Sequence, residues 1–277
     1  MAINHISNLG IRMLDTLGQF GQFAQFCAQT GQWAWKGSND PSRQKLLIPQ
    51  LFQIGTRSIP VVGMVGAFVG MVLALEMYAQ FRAYGIESKL GGVINISVVR
   101  QIGPVLAAVM IAGRVGGAVS AELGTMRVTE QLDALRVMGS DPIAYLVVPR
   151  VLACLIMVPI LTVFSDILGI YGGYSITVHG FGVNPSEYWA FSAQFVESYD
   201  VLSGLIKSAL FGLAIGLIAC YKGFHCKPGA AGVGEAATDA FVTSFVAIIM
   251  LNLVLAKFLQ DIYTIIFGSQ LSGGLVG

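Results

Sequence analysis

Apolar residues fall into five long runs along the chain, separated by shorter polar stretches. The runs cover about residues 59–81, 93–113, 145–178, 201–221 and 240–260. Each run is close to, or longer than, the roughly 20 residues that a helix needs to cross a bilayer. None shows the alternating polarity of short membrane strands. The pattern predicts an all-α polytopic membrane protein with five transmembrane helices.

The first forty residues have a different pattern, with apolar and glutamine-rich sides at helical spacing. We predict that residues 1–40 form an N-terminal interfacial amphipathic helix, which Trp33 and Trp35 anchor at the membrane surface. The alternative is a helix that packs against the protein's own bundle. The apolar side consists of Ile6, Leu9, Met13, Leu17, Phe20, Phe23 and Phe26.

Composition excludes several classes of protein. Only 11% of the residues are charged, against roughly 25% in soluble domains, so the chain has too few charges to cover a water-facing surface. A net charge of +1 without a basic tract gives no reason to expect a nucleic-acid partner. The chain lacks a P-loop, GxSxG or HExxH motif, and Cys220, His225 and Cys226 lack a fourth metal ligand at usual spacing. We therefore expect no catalytic residues, metal site or cofactor in this chain.

Charged residues concentrate between the second and third apolar runs, in residues 113–150, which hold eight of the chain's 31 charges. Within this segment, residues 128–139 predict a short amphipathic helix with Thr129 as its N-cap and Gly139 at its end. Its apolar stripe and charged rim suit a cleft in a cytoplasmic partner; the alternative is packing against the protein's own spans. The stripe is Leu132, Leu135 and Met138, and the rim is Glu130, Asp133 and Arg136.

The distribution of basic residues predicts the orientation. Eleven Lys and Arg residues lie in segments on the side of the N-terminus, against two, Arg82 and Lys89, on the other side. The positive-inside rule therefore places the N-terminus and residues 113–150 in the cytoplasm, and the C-terminus outside.

Polar residues inside the apolar runs raise the free energy of membrane insertion, so each needs a structural reason. Arg100 at a bilayer centre would cost roughly 2.5–3.5 kcal/mol, so we expect it to face a polar cavity or a partner, or to lie near the membrane boundary. Pro104 should bend the second helix just beyond it. Gly66 and Gly70 form a small-xxx-small pair that allows another helix to approach closely.

The segment GRVGGAVSAELGTMRVTEQLDALRVMGSDPIAYLVVPR (113–150) closely resembles the signature region of the MlaE-type permeases. These are the membrane subunits of ABC transporters that work with MCE proteins to move lipids across the Gram-negative envelope. The stretches RQIGPVLAAVMIAGR (100–114) and GMVLALE (70–76) are similar to the same pattern. The resemblance extends over about residues 46–257.

The resemblance implies a homodimeric, multi-pass permease domain over residues 41–277 in a bacterial inner membrane, with phospholipid as its cargo. A separate ABC ATPase subunit, which binds ATP and Mg²⁺, would dock on the coupling helix. A ring of MCE proteins would lie on the periplasmic side, and a small STAS-domain protein often binds the ATPase. The implied ATPase-coupling residues are Glu130, Leu132, Asp133, Leu135, Arg136 and Met138.

The family's lipid cavity forms at the dimer interface, largely from the first helix and the start of the second. Laid onto this sequence, it would contain one apolar helix face ending in a tyrosine, Arg100 as the cation for a lipid phosphate, and Gln101. The alternatives are ordinary bilayer contact for the apolar face and a structural ion pair for Arg100, for example with Glu76. The apolar face consists of Leu73, Met77, Phe81 and Tyr84.

Two positions depart from the family pattern. Gln101 stands where the family often has Glu, and Asn252 where it often has Asp, so we expect amides to replace two membrane carboxylates. A self-contained secondary transporter or channel is the competing interpretation, and its only support is Arg100, Lys207 and Lys257. A chloroplast relative in the same family leaves a second location open.

Overall fold

The computed structural model describes the backbone of residues 2–36 and 41–273, and the side chains of residues 18, 20–36 and 45–265. Of these residues 92% are helical, and no strand occurs in the ranges just given. The α-helices are α1 (Ala2–Lys36), α2 (Pro41–Ile54), α3 (Ile59–Ala83), α4 (Leu90–Ser97), α5 (Gly103–Ile111), α6 (Gly117–Val128), α7 (Gln131–Val137), α8 (Val148–Tyr174), α9 (Pro185–Phe195), α10 (Ser198–Phe224) and α11 (Gly229–Gly273).

Short turns of other helix types join several of these helices without breaking the chain's helical path. The π turns are Val98–Ile102, Ala112–Gly116, Ile143–Val147 and Ser175–Gly180, and the 3₁₀ turns are Thr56–Ser58 and Glu87–Lys89. The π turns place one extra residue per hydrogen-bonded turn and often lie at functional sites.

Five helical units are long and apolar enough to cross a membrane, which confirms the predicted fold class. They run over Lys45–Ala83, Glu87–Val128, Ile143–Gly180, Ser198–Phe224 and Gly229–Ile265. All five are longer than the apolar runs that predicted them, because amphipathic turns extend each span at its ends.

The second unit corrects one prediction about the charged segment 113–150. Its helix does not end near Gly113 but continues through the π turn Ala112–Gly116 and α6 to Val128. The first part of the charged segment is therefore an extension of a spanning helix rather than a connector. The chain leaves it only at Thr129.

Helices α3 and α8 pack backbone to backbone, as the glycine pair predicts. A Cβ atom at Gly70 would lie 1.9 Å from the carbonyl oxygen of Gly169, and one at Gly66 would lie 2.5 Å from that of Ser165. In return, a Cβ atom at Gly172 of α8 would lie 2.3 Å from the carbonyl oxygen of Ala67. Small residues on both helices therefore fix this close contact.

Helix α1 packs partly on the bundle, which was the alternative for the N-terminal segment. Phe26 is buried, and its ring meets those of Tyr221 and Phe224 edge to face. Phe20 and Trp35 remain exposed, as an interfacial helix requires. The alternative thus holds at Phe26, and the interfacial position of the rest of α1 stays a prediction. Ile6, Leu9, Met13 and Leu17 lie outside the described side chains.

Candidate functional site: a docking helix and a cationic cavity

Helix α7 folds back on α6 through a left-handed residue. Glu130 has φ +59°, and its carbonyl oxygen accepts hydrogen bonds from the N–H groups of Asp133 and Ala134. Thr129 is not the N-cap that we predicted, because its hydroxyl donates to the carbonyl of Thr125 at 2.9 Å and so closes α6. The reversal at Glu130 explains the difference, since it starts a new helix rather than continuing one.

The predicted end of α7 is confirmed. Gly139 has φ +78°, a conformation that glycine adopts without a Cβ penalty. The N–H of Ser140 donates to the carbonyl of Leu135 at 3.0 Å, which is the glycine-terminated end of a helix. The carboxylate of Asp141 then accepts from the N–H of Ile143 at 2.8 Å and begins the next helical unit.

The structure revises which side chains of α7 a partner could reach. Leu132 is fully buried in the main hydrophobic core and so holds α7 on it, whereas Leu135 is only half-buried. Met138 is 70% exposed and Val137 is 89% exposed. The predicted stripe therefore divides into an inner anchor and an outer end. Val137 was missed because it lies outside the Leu132/Leu135 spacing.

The charged rim of α7 is accessible. Asp133 lies 2.9 Å from Arg136 and 3.6 Å from Arg127, and all three side chains are about half exposed. Exposed pairs of this kind contribute roughly 0–1 kcal/mol to stability, so they can exchange partners easily. Glu130, at the reversal, is also exposed. The rim thus presents charges of both signs around Val137 and Met138.

The residues predicted for one lipid cavity lie at two separate places in the described part of the chain. Leu73, Met77 and Phe81 pack, half-buried, against the core cluster of α3 and α4 that contains Leu90 and Ile94. Tyr84 does not continue this face, because it caps the end of α3 and is exposed.

Arg100 and Gln101 point instead towards α10 and α11, in the π turn just before Pro104. The Arg100 guanidinium lies 3.7 Å from the buried carboxylate of Asp200 and donates to the amide oxygen of Gln260. The structural ion pair that we considered for Arg100 thus exists, but with Asp200 rather than Glu76.

The missing N–H of Pro104 explains how α10 fits against this turn. Proline leaves a carbonyl one turn earlier without its helical donor. The Lys207 ammonium donates to the carbonyl of Arg100 at 3.0 Å and to the amide oxygen of Gln101 at 2.9 Å. A Cβ at Gly204 would lie 2.4 Å from the carbonyl of Val99, so glycine is needed for this approach.

A cavity of about 390 Å³ opens beside these groups, between α10 and α11. Three cations line it, Arg100, Lys207 and Lys257, and no carboxylate belongs to the lining. Lys257 is exposed and makes no hydrogen bond or ion pair with any side chain of residues 18, 20–36 or 45–265. Such a site attracts an anion, and phosphate is the anion that arginine and lysine bind well. The other lining residues are Gln101, Tyr199, Ser203, Ala256, Leu259 and Gln260.

The two positions that depart from the family pattern, Gln101 and Asn252, have different surroundings. Gln101 does keep a hydrogen bond, because its amide oxygen accepts from Lys207. The Asn252 oxygen is buried and has no donor within the described ranges. The expectation of hydrogen-bonding amides is therefore confirmed for Gln101 alone.

A second polar cluster fixes α9 on α4 at the end of the bundle near the cavity. The Tyr188 hydroxyl donates to Asn95 at 3.0 Å, and the Asn95 amide donates to Ser192 at 2.7 Å. All three side chains are buried, and burial raises the pKa of Tyr188 to about 12. The pattern analysis missed α9, because Pro185–Phe195 is too short and too polar to stand out between two spans.

Comparison with known proteins identifies the family. A family model described as Permease MlaE matches residues 47–258. The chain belongs to the MlaE permease family. Among MlaE relatives, the "Intermembrane phospholipid transport system permease protein MlaE" of Haemophilus influenzae is 34% identical over 262 residues, covering 92% of this chain and 97% of that protein.

Further relatives of this MlaE-family chain come from other lineages. The "Probable ABC transporter permease protein" of Rickettsia bellii is 41% identical over 254 residues, covering 92% of this chain and 96% of that protein. "Protein TRIGALACTOSYLDIACYLGLYCEROL 1, chloroplastic" of Arabidopsis thaliana is 36% identical over 211 residues, covering 76% of this chain and 60% of that protein. The chain is thus a multi-pass permease, and no group of three or more His, Cys, Asp or Glu that could hold a metal occurs in its described part.

Proposed function

We propose that this chain is the membrane subunit of an MCE-associated ABC transporter that moves phospholipid between the inner membrane and a periplasmic carrier. A separate ATPase drives it, and a second copy of the chain completes the permease. The observation that carries the proposal is the cationic cavity beside Arg100, in a chain whose relative from Haemophilus influenzae is named for phospholipid transport.

The cavity supports phospholipid as cargo through its charge and its position. Lys257 offers an exposed donor, Arg100 is about one-third exposed beside its pair with Asp200, and Lys207 adds a positive charge from within the bundle. The surrounding spans are apolar and suit acyl chains. The half-buried face of Leu73, Met77 and Phe81 would contact acyl chains only if a second copy of the chain brings it next to such a cavity.

Helix α7 supports a separate ATPase as the source of energy. The chain has no P-loop of its own, and α7 presents Val137 and Met138 within a rim of opposite charges. An apolar tip that enters a cleft supplies affinity, and the surrounding charges set the register. We place α7 and the N-terminus in the cytoplasm and the C-terminus in the periplasm, on the distribution of basic residues.

Gentle purification from native membranes tests the whole proposal. Mass spectrometry of the complex should detect an ABC ATPase, an MCE protein and phospholipid together. In the Lys257→Gln variant, the amount of bound phospholipid should fall severalfold, whereas the exposed-lysine control Lys89→Gln should retain it. Recovery of the chain without an ATPase, with transport driven by an ion gradient, would instead establish the secondary transporter.

A further inference from the structure

Two neighbouring cavities form one continuous groove at the end of α10 that is remote from Arg100. The first has a volume of about 320 Å³ and is lined mainly by apolar side chains of α1, α10 and α11. The second has a volume of about 360 Å³ and is lined mainly by polar and charged side chains. Tyr221 and Lys222 line both cavities, so the groove is apolar at one end and charged at the other.

The apolar end has the dimensions and walls of a hydrocarbon site. Phe20 and Phe23 of α1 form one wall, Ile218 of α10 the second, and Thr243 and Ala247 of α11 the third. The ring of Phe23 contacts that of Tyr221 edge to face, with centroids 5.2 Å apart, which fixes the distance between α1 and α10. Small-molecule sites begin at roughly 300 Å³. The remaining lining residues belong to the two candidate spans Ser198–Phe224 and Gly229–Ile265, so we expect the slot to face acyl chains.

The charged end carries two cations and two carboxylates in matched pairs. The Lys222 ammonium lies 3.4 Å from Asp239, and the Lys227 ammonium donates to both oxygens of Glu235 at 2.7 and 2.9 Å. The hydrogen bond and charge of Glu235 raise the pKa of Lys227, which therefore stays protonated. The side chains of all four residues are about one-third or more exposed, and exposed pairs of this kind are weak enough to be shared with a ligand.

We propose that this groove binds one zwitterionic glycerophospholipid of the leaflet at this end of the bundle. An acyl chain occupies the slot, the phosphate lies between Lys222 and Lys227, and the headgroup amine lies between Glu235 and Asp239. The charge pattern favours this occupant, because an anionic headgroup would meet two carboxylates without an amine to offer them. The site is independent of the proposed function, and about 28 Å of α10 separates Lys222 from Ser203 of the cationic cavity.

Photo-crosslinking in nanodiscs tests the proposal with the full-length chain. The probes are phosphatidylethanolamine and phosphatidylglycerol with the same diazirine-bearing acyl chain, and labelled peptides are located by mass spectrometry. Phosphatidylethanolamine should label α1 near Phe23 and α11 near Ala247 about fivefold more than phosphatidylglycerol does. That ratio corresponds to about 1 kcal/mol. Equal labelling by both lipids would overturn the headgroup assignment without any substitution.

Two variants test the two ends of the groove separately. Ala247→Trp fills the slot and should abolish labelling there, whereas Ile160→Trp, which places the same indole ring at an exposed position of α8, should not. Glu235→Gln with Asp239→Asn leaves two cations and should reverse the preference towards phosphatidylglycerol. Labelling that survives Ala247→Trp, or a preference that does not change in the double variant, would overturn the site. Size-exclusion profiles confirm that each variant is folded.

Discussion

Separating the anchor of α7 from its exposed tip gives a sharp test of the docking proposal. α7 has seven residues, and helices shorter than roughly 12–15 residues are marginal on their own. Its stability therefore depends on the buried side chain of Leu132. Truncation of a buried leucine to alanine costs about 2–5 kcal/mol, more than such a helix can supply locally. We expect Leu132→Ala to detach α7 while the spans stay folded.

Substitutions at the exposed tip of α7 should impair docking without destabilising the helix. Val137 and Met138 are mostly exposed, so Val137→Asp with Met138→Asp should change stability by no more than about 0.5 kcal/mol. In a docked complex the same change buries unpaired charge, which costs several kcal/mol. A loss of about 3 kcal/mol already weakens binding more than a hundredfold.

Hydrogen-exchange mass spectrometry and co-purification distinguish the two effects. Leu132→Ala should remove the protection of the amides in α7, and the double aspartate variant should keep it. ATPase co-purification should be lost in the double variant and retained in Ser140→Asp, which adds one charge nearby without removing an apolar contact. Full ATPase recovery with the double aspartate variant would refute docking through the tip of α7.

Three further outcomes follow from single contacts. Gly70→Ala places a Cβ 1.9 Å from a backbone oxygen and should cost at least about 2 kcal/mol by thermal unfolding, whereas Gly113→Ala, with ordinary contact at 3.4 Å, should not lower Tm. Tyr188→Phe should cost about 1–3 kcal/mol by orphaning Asn95. The folded state favours the neutral Tyr188 hydroxyl, because its pKa is raised to about 12. The stability that this hydroxyl contributes should therefore be present below pH 10 and disappear as the pH rises towards 12. Over that interval the free energy of unfolding should fall less in Tyr188→Phe than in the unchanged protein. In Gln101→Glu, the new carboxylate should pair with Lys207, whose ammonium lies 2.9 Å from the Gln101 oxygen. This pairing neutralises one cation of the cavity and should lower the ratio of anionic to zwitterionic lipid that co-purifies. An unchanged ratio would contradict a role for the Lys207 charge in the cavity.

Local patterns in the sequence predicted the features that depend on residues close together in the chain. The five spans follow from apolar runs, the close approach of another helix to α3 from Gly66 and Gly70, and the end of α7 from Gly139. Each depends on composition or conformational preference within one or two helical turns. The prediction of Thr129 as an N-cap was wrong, because the left-handed conformation of Glu130 reverses the chain there. Thr129 therefore ends α6 instead of starting α7.

The cavity could not be predicted from local patterns in the sequence, because residues far apart in the chain form it. Arg100 meets Gln260, which lies 160 positions further along the chain, and Lys207 lies 107 positions beyond Arg100. Helical spacing grouped Leu73, Met77 and Phe81 correctly on one face of α3, but it did not show that Tyr84 lies beyond the end of the helix, nor which neighbour that face meets. The missing N–H of Pro104 was the one sequence signal that pointed to an unpaired carbonyl, and the lysine that satisfies it was visible only in the fold.

The continuity of the second helical unit connects the docking helix to the cavity mechanically. From Arg100 to Val128 the chain never leaves helix, a length of about 42 Å, and α7 is fixed to its end by Leu132. We therefore expect displacement of α7 to move Arg100 with it, and to move Arg100 relative to Lys257 on α11, which breaks the hydrogen bond between Arg100 and Gln260. Spin-label distances during an ATP cycle check this: the distance from Gln131 to Lys89 should stay constant while the distance from Lys89 to Lys257 changes. A change within the first pair would instead locate the moving joint at one of the π turns.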